Sequence, residues 1–138
     1  VKIRSYEKSD QAAVIELWRK CGLTRPQNDP KKDIARKLKV NPELFLVGVE
    51  GTKVVATAMG GYEGHRGWVN YLGVDPDYRK KGLAKQLMET LEEKLLERGC
   101  PKLNLQVFTT NIEAMEFYDR IGYQRDEVVS YGKRLIPD

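Results

Sequence analysis

Apolar and polar positions alternate over residues 2–6, which predicts a strand at a sheet edge. The period then lengthens. Val14, Leu17 and Trp18 share one face of a helix that opens at Ser9 or Asp10 and ends before Gly22. Asp29-Pro30 predicts a second helix, with Asp as N-cap and Pro at the first helical position; it includes Ile34 and Leu38 and stops before Asn41-Pro42. Residues 45–50 and 54–62 are apolar runs on either side of Gly51 and predict a hairpin. The chain turns again over 63–67 into a strand at 68–74. Leu83, Leu87, Leu91 and Leu95 recur every four residues with Met88 beside them, a core-facing stripe on a helix over 82–98, closed by Gly99 and stopped by Pro101. A strand at 103–108, a helix at 111–121 ended by Gly122, and a last strand at 125–133 complete the pattern.

Strands and helices alternate only in the second half of the chain. The expected class is therefore mixed α/β (α+β): one domain over residues 1–138, its central sheet mostly antiparallel with one parallel strand pair, flanked by about four helices. A content of 41% hydrophobic and 32% charged residues fits a soluble globular chain. No apolar run approaches the ~20 residues of a membrane span, and the first residues hold no leader-type apolar segment, so a cytoplasmic location without membrane partners is expected. Cys21 and Cys100 lack metal or CxxC spacing and read as reduced thiols, and with His65 the lone histidine no metal site is expected. The net charge of +4 raises nucleic acid as a partner, but basic and acidic residues are interspersed and no nucleic-acid motif is present; that partner is set aside.

The basic residues do concentrate once, in Leu72-Gly-Val-Asp-Pro-Asp-Tyr-Arg79-Lys-Lys-Gly82-Leu-Ala84-Lys85. An apolar strand meets an Asp-Pro turn, then a glycine-bearing loop that runs into the long helix. The first amides of a helix have no internal acceptors and the dipole favours an anion, so this junction suits a diphosphate. Gly82 lets a bound group approach the backbone, while Arg79, Lys80, Lys81 and Lys85 add positive charge. It is neither a P-loop, which needs Gly-Lys-Ser/Thr, nor a dinucleotide fingerprint, which needs three glycines.

Arg79-x-x-Gly82-x-Ala84 resembles the coenzyme A signature of the GNAT superfamily of N-acetyltransferases. Farther along, Asn111-x-x-Ala114-x-x-Phe117-Tyr118-x-x-x-Gly122-Tyr123 resembles that family's second motif, in the expected order and separation. Residues 23–30 and 60–67 look like a bacterial branch of the same family. The resemblance implies acetyl-coenzyme A as co-substrate and a primary amine, on a small molecule or peptide, as acceptor. A homodimer is compatible with it. A non-catalytic acyl-coenzyme A-binding module is the alternative.

By the same resemblance, main-chain groups of Leu72, Gly73 and Val74 pair with the pantetheine arm, and the Leu72 amide polarises the thioester oxygen. Amides of Lys80, Lys81, Gly82, Leu83, Ala84 and Lys85 hold the diphosphate, and Tyr118 is the general acid. Asn111 either caps its helix or also bonds the pantetheine. Arg25, Asn28 and Asp29, in the loop joining the first two helices, are expected at the acceptor, with Tyr71, Trp68 and Tyr62 as walls. Alanine acetyltransferases of this family carry a strand Glu five residues before the motif Asn; here that position is Gln106, which accepts no proton. Glu63 and His65 are the remaining candidate bases, His65 by its intrinsic pKa.

Overall fold

The computed structural model describes residues 1–138. The opening alternation becomes β1 (Lys2–Ser5), and the hairpin around Gly51 becomes β2 (Phe45–Glu50) and β3 (Lys53–Tyr62). Next come β4 (Gly67–Val74) and β5 (Leu103–Asn104). The spatial order is β1-β2-β3-β4-β5, antiparallel through β4 and parallel between β4 and β5. A parallel neighbour requires a crossover. Here α3 (Leu83–Glu97) provides it, whereas α1 (Gln11–Lys20) and α2 (Pro30–Lys37) fall between β1 and β2 in the chain.

The period of two along β2 separates the sheet's faces. Phe45, Val47 and Val49 join Val14, Leu17, Trp18 and Ile34 in one buried cluster under α1 and α2. On the other face lies the α3 stripe, with Leu83, Leu87, Met88, Leu91 and Leu95 all buried. Full burial of such a side chain contributes about 1.5–3 kcal/mol, so this stripe anchors the helix whose first turn matters below. Gly60 of β3 admits α3 closely: a Cβ there would press into the Leu91 side chain.

Contacts group the chain into two compact units, Val1–Leu105 and Gln106–Asp138. The second holds α4 (Ile112–Arg120), capped by Asn111 Oδ1 accepting from the Ala114 amide at 3.1 Å. Gly122 (φ +97°) ends it, and the Tyr123 amide returns to the Tyr118 carbonyl at 3.0 Å.

Three expectations are corrected. The strand expected at 103–108 is only Leu103–Asn104, because its ladder with β4 stops after Gly67↔Leu103 and Trp68↔Asn104. No strand forms at 125–133; that segment pairs with nothing in a ladder, and Val128, Val129 and Tyr131 stand exposed. Neither Ser9 nor Asp10 caps α1 through its side chain. Asp10 instead closes a capping box with Glu7 over the preceding 3-10 turn and takes a bidentate pair from Arg4 at 2.8 and 3.0 Å. The guanidinium holds the Asp10 carboxyl below the usual carboxylate range.

Candidate active site

β3 and β4 pair from Tyr62↔Gly67 to Met59↔Asn70, and again at Thr57↔Gly73 and Ala56↔Val74. In between, Ala58 faces both Tyr71 and Leu72, so β4 carries a bulge. Tyr71 has φ +52°, an uncommon conformation for a non-glycine residue. What surrounds it explains its persistence. Thr57 Oγ1 donates to the Tyr71 carbonyl at 2.9 Å, and Trp18 Nε1 donates to Thr57 Oγ1 at 3.0 Å, with both partners buried. The Tyr71 ring stacks on Trp18 (centroids 3.8 Å apart, 13° between planes), and its hydroxyl donates to Asp33 Oδ2 at 2.6 Å.

Past the bulge, the Asp75 amide donates to the Val55 carbonyl at 2.8 Å. Antiparallel alternation then directs Gly73 toward β3 and turns the main-chain groups of Leu72 and Val74 to the far edge. On that edge β5 pairs only with Gly67 and Trp68, so residues 72–74 have no strand partner. The Val74 carbonyl accepts from Arg79 Nε at 3.1 Å and from the Cys21 thiol at 3.3 Å. Burial pushes the Cys21 thiol up, with Arg79 pulling against it.

The chain leaves β4 through Asp75-Pro76. Asp75 is 2% exposed; it accepts from the Asp77 amide at 2.9 Å and pairs with Lys20 (3.4 Å) and Lys53 (3.7 Å). The Asp77 bond and, after it, the lysines hold its carboxyl below the usual range, against burial. Lys80 (φ +63°) and Gly82 (φ +77°) are left-handed, and α3 starts at once. No side chain caps α3 and its first turn has no acid, in contrast to α2, where Asp29 accepts from Lys31 and Lys32, and to α4 with Asn111. The Gly82 carbonyl receives the Gln86 amide at 3.0 Å, so Leu83, Ala84 and Lys85 keep the unsatisfied first-turn amides. A Cβ on Gly82 would meet nothing within 4 Å. Donors without acceptors beside open space are what a diphosphate requires, and the residues fit that group.

The side-chain cations divide. Arg79 turns back to Val74, and Lys81 lies over the Tyr78 ring at 5.2 Å, while Lys80 and Lys85 are exposed. Of the acceptor candidates, Asp29 caps α2 through its carboxylate, and Arg25 folds onto the Gly22 and Thr24 carbonyls at 2.6 and 3.1 Å. The Asn28 amide closes the same loop on the Arg25 carbonyl at 3.0 Å. Tyr71 belongs to the bulge, and Tyr62 sends its hydroxyl to the Gly64 and Gly99 carbonyls at 3.1 and 3.4 Å.

Glu63 and His65 occupy the exposed turn before Gly67. Leu72 comes five positions after Gly67 along β4, about 16 Å at ~3.3 Å per residue, so the structure does not bring this pair to the Leu72 amide. Glu63 Oε1 accepts from the Arg66 and His65 amides, bonds that hold its carboxyl below the usual range. In the second unit, Gln106 Nε2 donates to Ser130 Oγ at 2.5 Å. Tyr118 meets Phe117 (5.0 Å) and Tyr123 (5.8 Å) edge-on, and burial pushes its phenol up to about 12.

Sequence reasoning missed Thr57, Trp18 and Asp33 as residues that shape the site. A signal existed for Thr57, the one polar side chain in the apolar run 54–59; such a hydroxyl needs a buried partner. No helix is long and apolar enough to cross a membrane, and no cluster of three or more His, Cys, Asp or Glu could hold a metal ion.

A bulged strand leading into an uncapped helix, within a sheet holding one parallel pair, is set in an N-acetyltransferase fold. Apo aminoglycoside 6'-N-acetyltransferase AAC(6')-Ig from Acinetobacter haemolyticus matches with TM-score 0.77 and 16% identity over 99% of each chain. AAC(6')-Iy in complex with a bisubstrate analogue, CoA-S-monomethyl-acetylneamine, matches with TM-score 0.78 and 17% identity over 96% of this chain and 97% of its own. The chain belongs to the acetyltransferase (GNAT) family, whose sequence pattern matches residues 8–123. Acetyltransferase YE1169 of Yersinia enterocolitica is 48% identical over 138 residues, 100% of this chain and 98% of its own. The protein is an enzyme of the acetyltransferase class, and the non-catalytic alternative gives way.

Proposed function

We propose that this chain transfers an acetyl group from acetyl-coenzyme A directly to a primary amine of a small molecule or peptide. The observation that carries the proposal is the uncapped first turn of α3, placed by the Asp75 turn directly after the free edge of β4. Amides at 80–85 would hold the diphosphate, with Lys80 and Lys85 adding charge. Main-chain groups of residues 72–74 would bond the pantetheine amides, for which Arg79 must release the Val74 carbonyl. The Leu72 N–H would stabilise the negative charge that develops on the thioester oxygen. Asn111, its Oδ1 committed to the helix cap, retains only its side-chain N–H groups for the pantetheine. The family pattern runs unbroken across both compact units, which supports treating residues 1–138 as one functional domain.

Tyr118 is the proposed proton source for the departing sulfur, with a constraint. Burial raises its phenol to about 12, well above a thiol, so complete proton transfer to the departing thiolate is uphill. Its contribution is therefore a hydrogen bond to the sulfur as charge accumulates there. Glu63 and His65, a strand's length from Leu72, would serve as base only at a distance, and an α-amino acceptor with a pKa near ~8 needs little help to deprotonate.

Calorimetry with coenzyme A, followed by a panel of amines and peptides with acetyl-coenzyme A read by thiol release, tests this reading. Binding without turnover on any amine would leave the transfer step unsupported; absence of binding would end the proposal.

A further inference from the structure

Every residue from 54 to 60 is buried, and among them only Thr57 carries a polar side chain. Its hydroxyl holds a single proton, and its neighbours dictate where that proton goes. An indole N–H can only donate, so Thr57 Oγ1 must accept from Trp18 and has its proton left for the Tyr71 carbonyl. That carbonyl lies where the register of β4 against β3 shifts. At the bulge the ladder is interrupted and a side chain substitutes.

The Tyr71 carbonyl and the Leu72 amide belong to one trans peptide, since the chain has no cis bond. In a trans unit the oxygen and the hydrogen point in opposite directions. Pinning the oxygen toward β3 therefore aims the Leu72 N–H at the far, unpartnered edge. Tyr71 is secured at its other end as well, by the stack on Trp18 and the bond to Asp33. A peptide next to a residue at φ +52° would otherwise be free to rotate away from this strained orientation.

The geometry points to Thr57 as a positioning residue for acyl transfer: from the core, it sets the direction of the amide that polarises the thioester. This rests on the proposed role of the Leu72 N–H. Thr57 itself touches no reacting atom.

The test needs no acceptor. Acetyl-coenzyme A labelled with carbon-13 at the thioester carbonyl is bound to the protein and its carbonyl stretch is read by isotope-edited infrared difference spectroscopy. Wild type is expected to lower the frequency. Thr57→Val, close in volume but without the hydroxyl, is expected to lose at least about half of that shift, while Thr57→Ser retains it. Affinity for coenzyme A, set mainly at the α3 amides, stays within about threefold in both. A full shift in Thr57→Val, an equal loss in Thr57→Ser, or no shift in a wild type that binds would each overturn the assignment. If Thr57→Val does not fold, Thr57→Cys keeps a weaker donor and is expected to fall between; an unchanged band there overturns it too. A wild type that binds no acetyl-coenzyme A sinks the broader reading along with this one.

Discussion

Gly82 and Gly99 make a matched pair for testing where the anion binds. They have φ of +77° and +78°, and an added Cβ would meet nothing within 4 Å at either position. They bracket the 15-residue α3 and stand about 25 Å apart at ~1.5 Å per residue. Substitution by Ala costs each the same thing, about 1–2 kcal/mol for a Cβ in the left-handed region. For a chain of this size that is roughly 3–10 °C in Tm. Ligand binding should separate them. At Gly82 the methyl is added at the residue that opens α3, next to the amides of Leu83, Ala84 and Lys85. If it displaces the diphosphate from one of them, losing one charge-assisted bond of about 1.5–3 kcal/mol weakens coenzyme A roughly 10- to 100-fold. Gly99→Ala leaves affinity within about twofold. Thermal melts and calorimetry on both variants decide the matter. Equal losses of Tm with coenzyme A affinity intact in Gly82→Ala would refute the placement of the cradle.

Other perturbations probe the rest of the site. Tyr118→Phe is expected to lower kcat about 10- to 100-fold at neutral pH; with its phenol raised to about 12, Tyr118 stays protonated to about pH 11 and gives no alkaline limb below it, which carbon-13 tyrosine NMR can follow. The accompanying stability is present below the ordinary phenol value near 10 and fades as pH rises toward 12. His65→Ala and Glu63→Gln should each leave the acid limb of kcat/KM in place; disappearance of that limb in either would restore it as the base. Asp75→Asn keeps an acceptor for the Asp77 amide but loses the charge facing Lys20 and Lys53, for a cost of about 1–3 kcal/mol at pH 7. Because the Asp75 pKa is lowered, that difference in urea midpoint should shrink as pH falls below about 3.8, and a constant difference down to pH 2 would count against the ion pairs.

The order and type of the elements were readable because local rules and burial agree. The four-residue leucine stripe is α3, and Asp29-Pro30 starts α2 with the Asp side chain on two amides. Asp10 misled because its carboxylate has a distant claimant, Arg4, that no local capping rule takes into account. Strand propensity at 103–108 and 125–133 does not supply a partner ladder, and hydrogen bonds to a neighbour are what make a strand. The basic, glycine-bearing loop before α3 was legible as a motif, but not the absence of any cap on α3 or the turning of Arg79 onto Val74. The bulge was invisible, since it depends on the register of β4 against β3 and on a threonine in between. His65 illustrates the converse: its chemistry was readable, but its distance along β4 from Leu72 was not.

The uncapped amides at the start of α3, as the proposed diphosphate site, would not discriminate among oxyanions. On that reading, phosphate or sulfate in a purification buffer competes for them and lowers the apparent strength of any nucleotide measured there, increasingly with concentration. Titrations on this enzyme therefore compare fairly only in zwitterionic media. Free pyrophosphate should behave as a competitive inhibitor although it contains neither thioester nor adenine.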